Sequence, residues 1–358
     1  MMAPVGRPRP RTPIQALIAE GDAWRRSPAS AGGAPGHKEW SRFLVLGSDV
    51  DLLVNLSLSD AAHGEGMRVD VPRAVVLARG PDGAWEGDVD GYAHEDTAFG
   101  SGPIGLRMGA NAQHFREHRY TLDVRLARRD LAARLSLRPI ARPAPICALA
   151  LGSAGAIRTF AVPRLEATGE VALRGRRFAL DGAPAYHDHD WGDFAWGGDF
   201  SWERAIAFGS GRHPAWTLVF RRILDGARLR ALSQGVLLWR GASHVRAIQG
   251  SDVSVECRGF LPARGALRIP RAMRLAAPAA AADLPKRLEV RAARGGDVVE
   301  TAFELLDLVE VAVPNEGCEP GATRIAEARA HARSEGRMRG EPFRFEGPAL
   351  VELTRGRA

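Results

Sequence analysis

The chain has 358 residues, 45% apolar and 25% charged with 7% aromatic, and a formal net charge of +7. That composition excludes a disordered or fibrous chain, and at ~150 residues per domain it predicts two cores. The first 36 residues supply +3 of the charge, and only Lys38 and Lys286 are lysines. A dispersed arginine excess without basic-aromatic runs or zinc-finger spacing predicts no nucleic-acid partner.

Residues 1–36 are rich in Pro, Arg, Gly and Ala and predict a flexible, largely detached leader, with one short helical stretch at Pro13 to Arg26 where Ile14, Leu17 and Ile18 share a face. No apolar h-region follows the arginines, and the longest low-charge stretch, Ala144 to Ile157, is broken by Pro145, Gly152 and Gly155. A cytoplasmic protein is the expectation. Cys147, Cys257 and Cys318 form no CxxC pair and predict buried, inert thiols rather than disulfides or a zinc site.

From Trp40 onward the pattern has period two. Tyr120, Leu122, Val124 and Leu126 alternate with polar residues, and after Arg128 to Asp130 the alternation resumes at Leu131, Ala133, Leu135 and Leu137, which predicts a β-hairpin. The same signature occurs at Glu170 to Leu180 through Gly175, and at Leu288 to Val299 through Gly295 and Gly296. Many short strands and few helices predict an all-β protein of antiparallel sandwiches or barrels. Ala276 to Pro285 (AAPAAAADLP) predicts a loop. Gly100 to Gly105 (GSGPIG) matches a dinucleotide fingerprint only formally, because strand-like Leu106 and Met108 stand where the helix would begin.

Chemistry concentrates in Tyr186 to Glu203 (YHDHDWGDFAWGGDFSWE), with two His, four Asp, one Glu and three Trp. On a strand, Tyr186, Asp188 and Asp190 project to one face, and His187, His189 and Trp191 to the other. Carboxylate and imidazole in mutual reach move protons at neutral pH. Two further readings stand beside this: a structural network that satisfies buried polar groups, and a metal site on His187 and His189, for which the spacing offers no third ligand.

YHDHDWG followed by WGGDFSWE resembles the Tyr-His-Asp-His-Asn-Trp-Gly signature of the carotenoid 1,2-hydratase (hydroxyneurosporene synthase) and AttH-like family. Lys38-Glu39-Trp40 with Phe43 and the strand Asp51 to Leu58 resemble its opening, so the likeness spans most of residues 37–240. It implies two lipocalin-like antiparallel β-barrel domains in tandem, at residues 37–195 and 196–358, with no cofactor and no metal. It also implies proton addition to an alkene of an isoprenoid or other long apolar ligand, followed by hydration or cyclisation. A non-catalytic carrier of such a ligand is the alternative.

Carried over by position, His189, Asp188 and Asp190 would be catalytic, and Tyr186, His187, Trp191, Trp196, Trp202 and Glu203 would line the ligand site. An apolar ligand also implies peripheral membrane contact for its uptake. The chain departs from the family in two places. Asp190 stands for the signature Asn, and Trp216, Leu218, Phe220 and Arg221 stand where the hydratases carry a Tyr and an Asp. No carboxylate occurs between Arg204 and Leu224, which leaves Asp199 or Glu203 to replace the acid. Asp188 and His189 on opposite faces predict that His189 and Trp191 face the ligand, with Asp188 behind them and the strand ending or bulging at Gly192.

Overall fold

The structure is a computed structural model that describes residues 13–25, 36–62, 68–100, 102, 104–151, 155–210, 215–261, 266–271, 284–316 and 321–355. Most of the AAPAAAADLP stretch and Cys318 lie outside these residues. The fold is all-β. One helix, α1 (Pro13–Gly21), precedes a first run of strands: β1 (His37–Leu46), β2 (Asp51–Ala62), β3 (Arg68–Arg79), β4 (Trp85–Gly91), β5 (Thr97–Phe99), β6 (Leu106–Met108), β7 (Asn111–Arg116), β8 (Arg119–Arg125), β9 (Leu131–Pro139), β10 (Ala144–Ala150), β11 (Gly155–Leu173) and β12 (Arg176–Phe194). A second run follows: β13 (Phe200–Phe208), β14 (Trp216–Asp225), β15 (Ala231–Arg240), β16 (Ser243–Gln249), β17 (Val253–Phe260), β18 (Leu267–Ile269), β19 (Pro285–Arg294), β20 (Asp297–Pro314), β21 (Ala322–Met338) and β22 (Glu341–Arg355).

The first run forms one sheet in the order β4-β3-β2-β1-β12-β11-β9-β8-β7-β6-β5, with β10 on β11. The second forms another, β16-β15-β14-β13-β22-β21-β20-β19-β17, antiparallel apart from the short β18 on β20. Each sheet curls around its own apolar core. The predicted hairpins are present as β8/β9, β11/β12 and β19/β20. On β8, Tyr120, Leu122 and Val124 point inward and their neighbours outward, as the alternation requires. Arg174 and Gly175 turn the β11/β12 hairpin with positive φ at both positions, the geometry that matches strand twist.

The two sheets pack face to face. Leu44, Leu46, Leu53, Leu77 and Trp85 of the first meet Ile206, Phe208, Val219, Trp239 and Leu350 of the second. Burying a large apolar side chain is worth ~1.5–3 kcal/mol, so this seam is a core in its own right. Ion pairs lock its rim, with Arg329 at 2.8 Å from Asp51 and Arg79 at 2.7 Å from Asp307.

Three expectations need correction. The leader is not detached over its described part, because Ile18 is buried in the first core and Asp22 is fully buried beneath it. Leu17, expected on the same face, is exposed. The strand does not end at Gly192: β12 continues to Phe194, and Gly192 is needed because a Cβ there would lie 2.1 Å from the Ala156 carbonyl oxygen. Cys257 is exposed and Cys147 half-buried, so neither is a core thiol.

Candidate active site

The signature strand β12 lies at the middle of the first sheet, between β1 and β11. Its period-two geometry separates two clusters, and the split matches the one read from sequence.

His187, His189 and Trp191 face the interior of the first sheet, where the chain's own N-terminal segment meets them. His189 Nδ1 lies 2.9 Å from Asp22 Oδ1, and its Nε2 lies 2.8 Å from Glu39 Oε1. Both nitrogens therefore donate to carboxylates. Burial opposes the charged imidazole, but the hydrogen bonds and charges of Asp22 and Glu39 outweigh it and raise the His189 pKa to about 9. His187 donates from Nδ1 to the Arg42 carbonyl at 2.9 Å, and its Nε2 lies 3.0 Å from Asp22, off line for a hydrogen bond. The Tyr120 hydroxyl donates to Asp22 at 2.7 Å. Burial raises the Asp22 carboxyl, yet His187 and His189 hold it well below the ordinary range.

Trp24 covers His189 at 4.9 Å between ring centroids, and the Arg25 guanidinium lies 3.6 Å from the centre of the Trp191 ring. The Arg25 amide also donates to Glu39 at 2.7 Å. His189, expected to be catalytic and to face the ligand, is thus an imidazolium closed in by its own chain. It has no lone pair with which to take a proton from water.

Tyr186, Asp188 and Asp190 face the seam between the sheets. Asp188 Oδ2 accepts from Arg42 at 3.1 Å and from Arg204 at 2.7 Å, and Asp190 Oδ2 accepts from Arg204 at 2.8 Å. Burial pushes Asp188 up, but Arg42 and Arg204 prevail and leave it at about 2. Asp190 also accepts from the Thr159 hydroxyl, which accepts in turn from Arg221. The Tyr186 hydroxyl is buried without a hydrogen-bond partner, and burial beside Asp188 raises its pKa far above the usual phenol value.

The second sheet completes this cluster from β21 and β22. Glu352 accepts from Arg42 and from the Trp202 indole N–H, and Glu327 Oε1 accepts from Arg42 at 3.1 Å. Glu327 and Glu352 stand directly opposite each other in the β21/β22 ladder. Two carboxylates so placed cannot both ionise. Burial raises Glu352, but Arg204 and Arg42 bring it below its ordinary value. Burial, and then the Glu352 charge, push Glu327 up to about 8. Three guanidiniums (Arg42, Arg204, Arg221) then balance three carboxylates (Asp188, Asp190, Glu352), with Glu327 neutral. Its second oxygen, Oε2, is buried with no hydrogen-bond partner.

Glu327 and Glu352 open onto a cleft of about 250 Å³ between the sheets. Trp40, Trp196 and Trp202 form an aromatic wall, with Trp196 and Trp202 centroids 5.6 Å apart and Trp40 within 6.4 Å of both. Leu53, Val75, Val311, Val313 and Ile325 supply apolar surface. The cleft thus combines a neutral carboxylic acid, aromatic faces and apolar walls. This arrangement can protonate a weak base such as an alkene and shelter the cation formed.

Of the residues singled out from sequence, Trp196 and Trp202 line the cleft, while Asp188 and Asp190 lie beneath it and hold its arginines. His187, His189 and Trp191 lie on the other side of the strand, and Glu203 is bound by Arg222 at 2.9 Å and Arg355 at 3.2 Å. Asp199 accepts from the Gly226 amide in a turn. Sequence reasoning missed Glu327, Glu352, Arg42 and Arg204. Among the described residues no cluster of His, Cys, Asp and Glu is arranged to hold a metal ion.

Two antiparallel sheets packed face to face, with a charged seam and a tryptophan-walled cleft between them, define the class of protein. Among solved structures, the chain is similar to an AttH protein of Nitrosomonas europaea, with 13% identity, a TM-score of 0.60 and coverage of 93% of this chain and 100% of that one. It is also similar to kievitone hydratase of Nectria haematococca, with 10% identity, a TM-score of 0.56 and coverage of 92% and 93%. At these identities the likeness is one of fold. No protein-family model matches the sequence, and no curated protein matches it.

Proposed function

We propose that this chain is a hydratase of the carotenoid 1,2-hydratase and AttH-like type, acting by proton transfer on an alkene of an apolar, isoprenoid-like ligand held between the sheets. The observation that carries this reading is Glu327, a buried carboxyl kept neutral beside an ionised partner, at the wall of an apolar cleft. Its O–H gives the proton to the less substituted alkene carbon, and the cation forms at the more substituted one. Trp40, Trp196 and Trp202 present faces that favour a nearby cation by ~0.5–2 kcal/mol each. Water adds to the cation, and the proton it releases returns to the Glu327 carboxylate, so the acid is regenerated. Capture by a second alkene of the same ligand in place of water closes a ring and moves the cation onto that alkene's other carbon, which takes water or loses a neighbouring proton, and in either case the proton returns to the Glu327 carboxylate.

A cleft of about 250 Å³ lies just below the ~300–1,000 Å³ of sites that enclose a whole drug-sized ligand. It suits the reacting end of an isoprenoid, with the remainder outside. The fold shared with a hydratase supports the reading. Farnesol and citronellol incubated with the protein are expected to yield products heavier by one water in mass spectrometry, and Glu327→Gln to yield none while folding normally. Conversion by Glu327→Gln at the wild-type rate would show that the acid lies elsewhere. Binding of both probes with no conversion would make the protein a carrier.

A further inference from the structure

The floor of the cleft is the outer face of β1, β2 and β3, and the ladder register sets its side chains in rungs. Leu44 stands opposite Leu53, and Leu53 opposite Leu77. The next rung is Arg42, Asn55 and Val75, and the one after it Trp40, Ser57 and Arg73, with Lys38 and Ser59 beyond. Polarity rises along this face from Leu53 through Asn55 to Ser57 and Ser59. All of these except Leu44 and Leu77 belong to the cleft lining.

The lining holds four cations, and three are neutralised. Arg42 and Arg204 are bound by Asp188, Asp190 and Glu352, and Lys38 lies 2.7 Å from Glu316. Arg73 is exposed and lines the cleft, and its guanidinium has no carboxylate partner among the described residues. Asn55, one rung deeper, has a buried side-chain oxygen without a hydrogen-bond partner. A polar strip that carries an arginine with no carboxylate partner among the described residues does not suit a hydrocarbon alone.

We propose that the cleft takes an amphipathic ligand, an alkene-bearing apolar body whose carboxylate or similar anionic end pairs with Arg73. This rests on the reading of the cleft as the substrate site, and it narrows the substrate class from apolar to anionic terpenoid. The register also sets the length. Arg73 lies one rung (~7 Å) along and two strands (~10 Å) across from Arg42, the residue that holds Glu327. Allowing for the reach of the arginine side chain, the anionic group and the reacting alkene are on the order of 10 Å apart. Citronellic acid, with its carboxylate and alkene at opposite ends of one short chain, has the right form.

The test compares binding of citronellic acid and citronellol at neutral pH, followed by quenching of the cleft tryptophans and by calorimetry. The wild type is expected to prefer the acid by about tenfold, the scale of a hydrogen bond to a charged partner. Arg73→Gln should bring that ratio close to one, and Arg73→Lys should keep most of it. An unchanged ratio in Arg73→Gln, equal affinity of the wild type for both probes, or no binding of either would overturn the proposal. Glu327→Gln separates this from the catalytic reading. An acid preference that depends on Arg73 and persists in Glu327→Gln, in a protein that converts neither probe, would keep the anionic anchor and remove the hydratase.

Discussion

Glu327 and Glu352 face each other across neighbouring strands, buried among the same arginines, and one proton serves the pair. The donors decide where it sits. Glu352 takes the Trp202 indole N–H as well as Arg42, whereas Glu327 has Arg42 as its one N–H donor among the described residues.

That arrangement fixes a pH dependence. Glu327 is an acid whose pKa is raised on folding, from 4.5 to about 8. Below 4.5 it is neutral in both states and costs nothing. Between 4.5 and about 8 the folded form holds a proton that the unfolded form has released, so stability falls as pH rises, and above about 8 the penalty is constant. Urea midpoints of Glu327→Gln should therefore exceed those of the wild type at pH 9, with the difference closing towards pH 4.5. A difference independent of pH would place the proton on another group. Turnover, which needs the protonated acid, should fall through about pH 8.

His189 adds a second contribution of the same sign. Its pKa rises from 6.5 to about 9 on folding, so its stabilisation is complete below 6.5 and is lost as pH rises through about 9. Removing it leaves Asp22 and Glu39 as buried carboxylates facing an empty space. His189→Ala should destabilise by ~3–5 kcal/mol, the usual result of breaking one side of a buried pair. Denaturation near the wild-type midpoint, together with lost turnover, would restore His189 as the catalytic residue expected from sequence.

Asp22 ties the N-terminal segment into the first sheet through His187, His189 and Tyr120. Asp22→Ala should cost ~3–5 kcal/mol on the same argument, and deletion of residues 1–25 at least as much. Thermal unfolding of the deletion variant is the check, and an unchanged midpoint would mean that the segment contributes nothing.

Gly21 offers a milder probe of the same segment. A Cβ there would fall 2.3 Å from two atoms of the Phe160 ring, so Gly21→Ala should overpack the site and cost ~1–3 kcal/mol. Calorimetric unfolding of this single variant measures how rigidly the helix is seated.

The sequence by itself determined the strands and the sidedness of the signature. Period two is a local property: Tyr120 to Val124 and Tyr186 to Trp191 declare their two faces wherever the strands are placed. Trp196 and Trp202, which line the cleft, were legible as candidates, because aromatic residues beside a charged signature stand out in composition.

Only the tertiary structure decided which polar faces are covered. In the run Ala326 to Arg333, alanines alternate with Glu327, Arg329, His331 and Arg333, which reads as a half-buried strand with its polar side in water. Glu327 is buried because a strand of the other sheet, some 285 residues earlier in the chain, lays Arg42 against it. Asp22 was equally hidden, since one of two carboxylates in a Pro- and Arg-rich segment gives no local sign that two imidazoles await it. Alternation states which residues share a face. What that face meets depends on packing between distant segments, and that packing sets the desolvation and charge pairing that shift the pKa values.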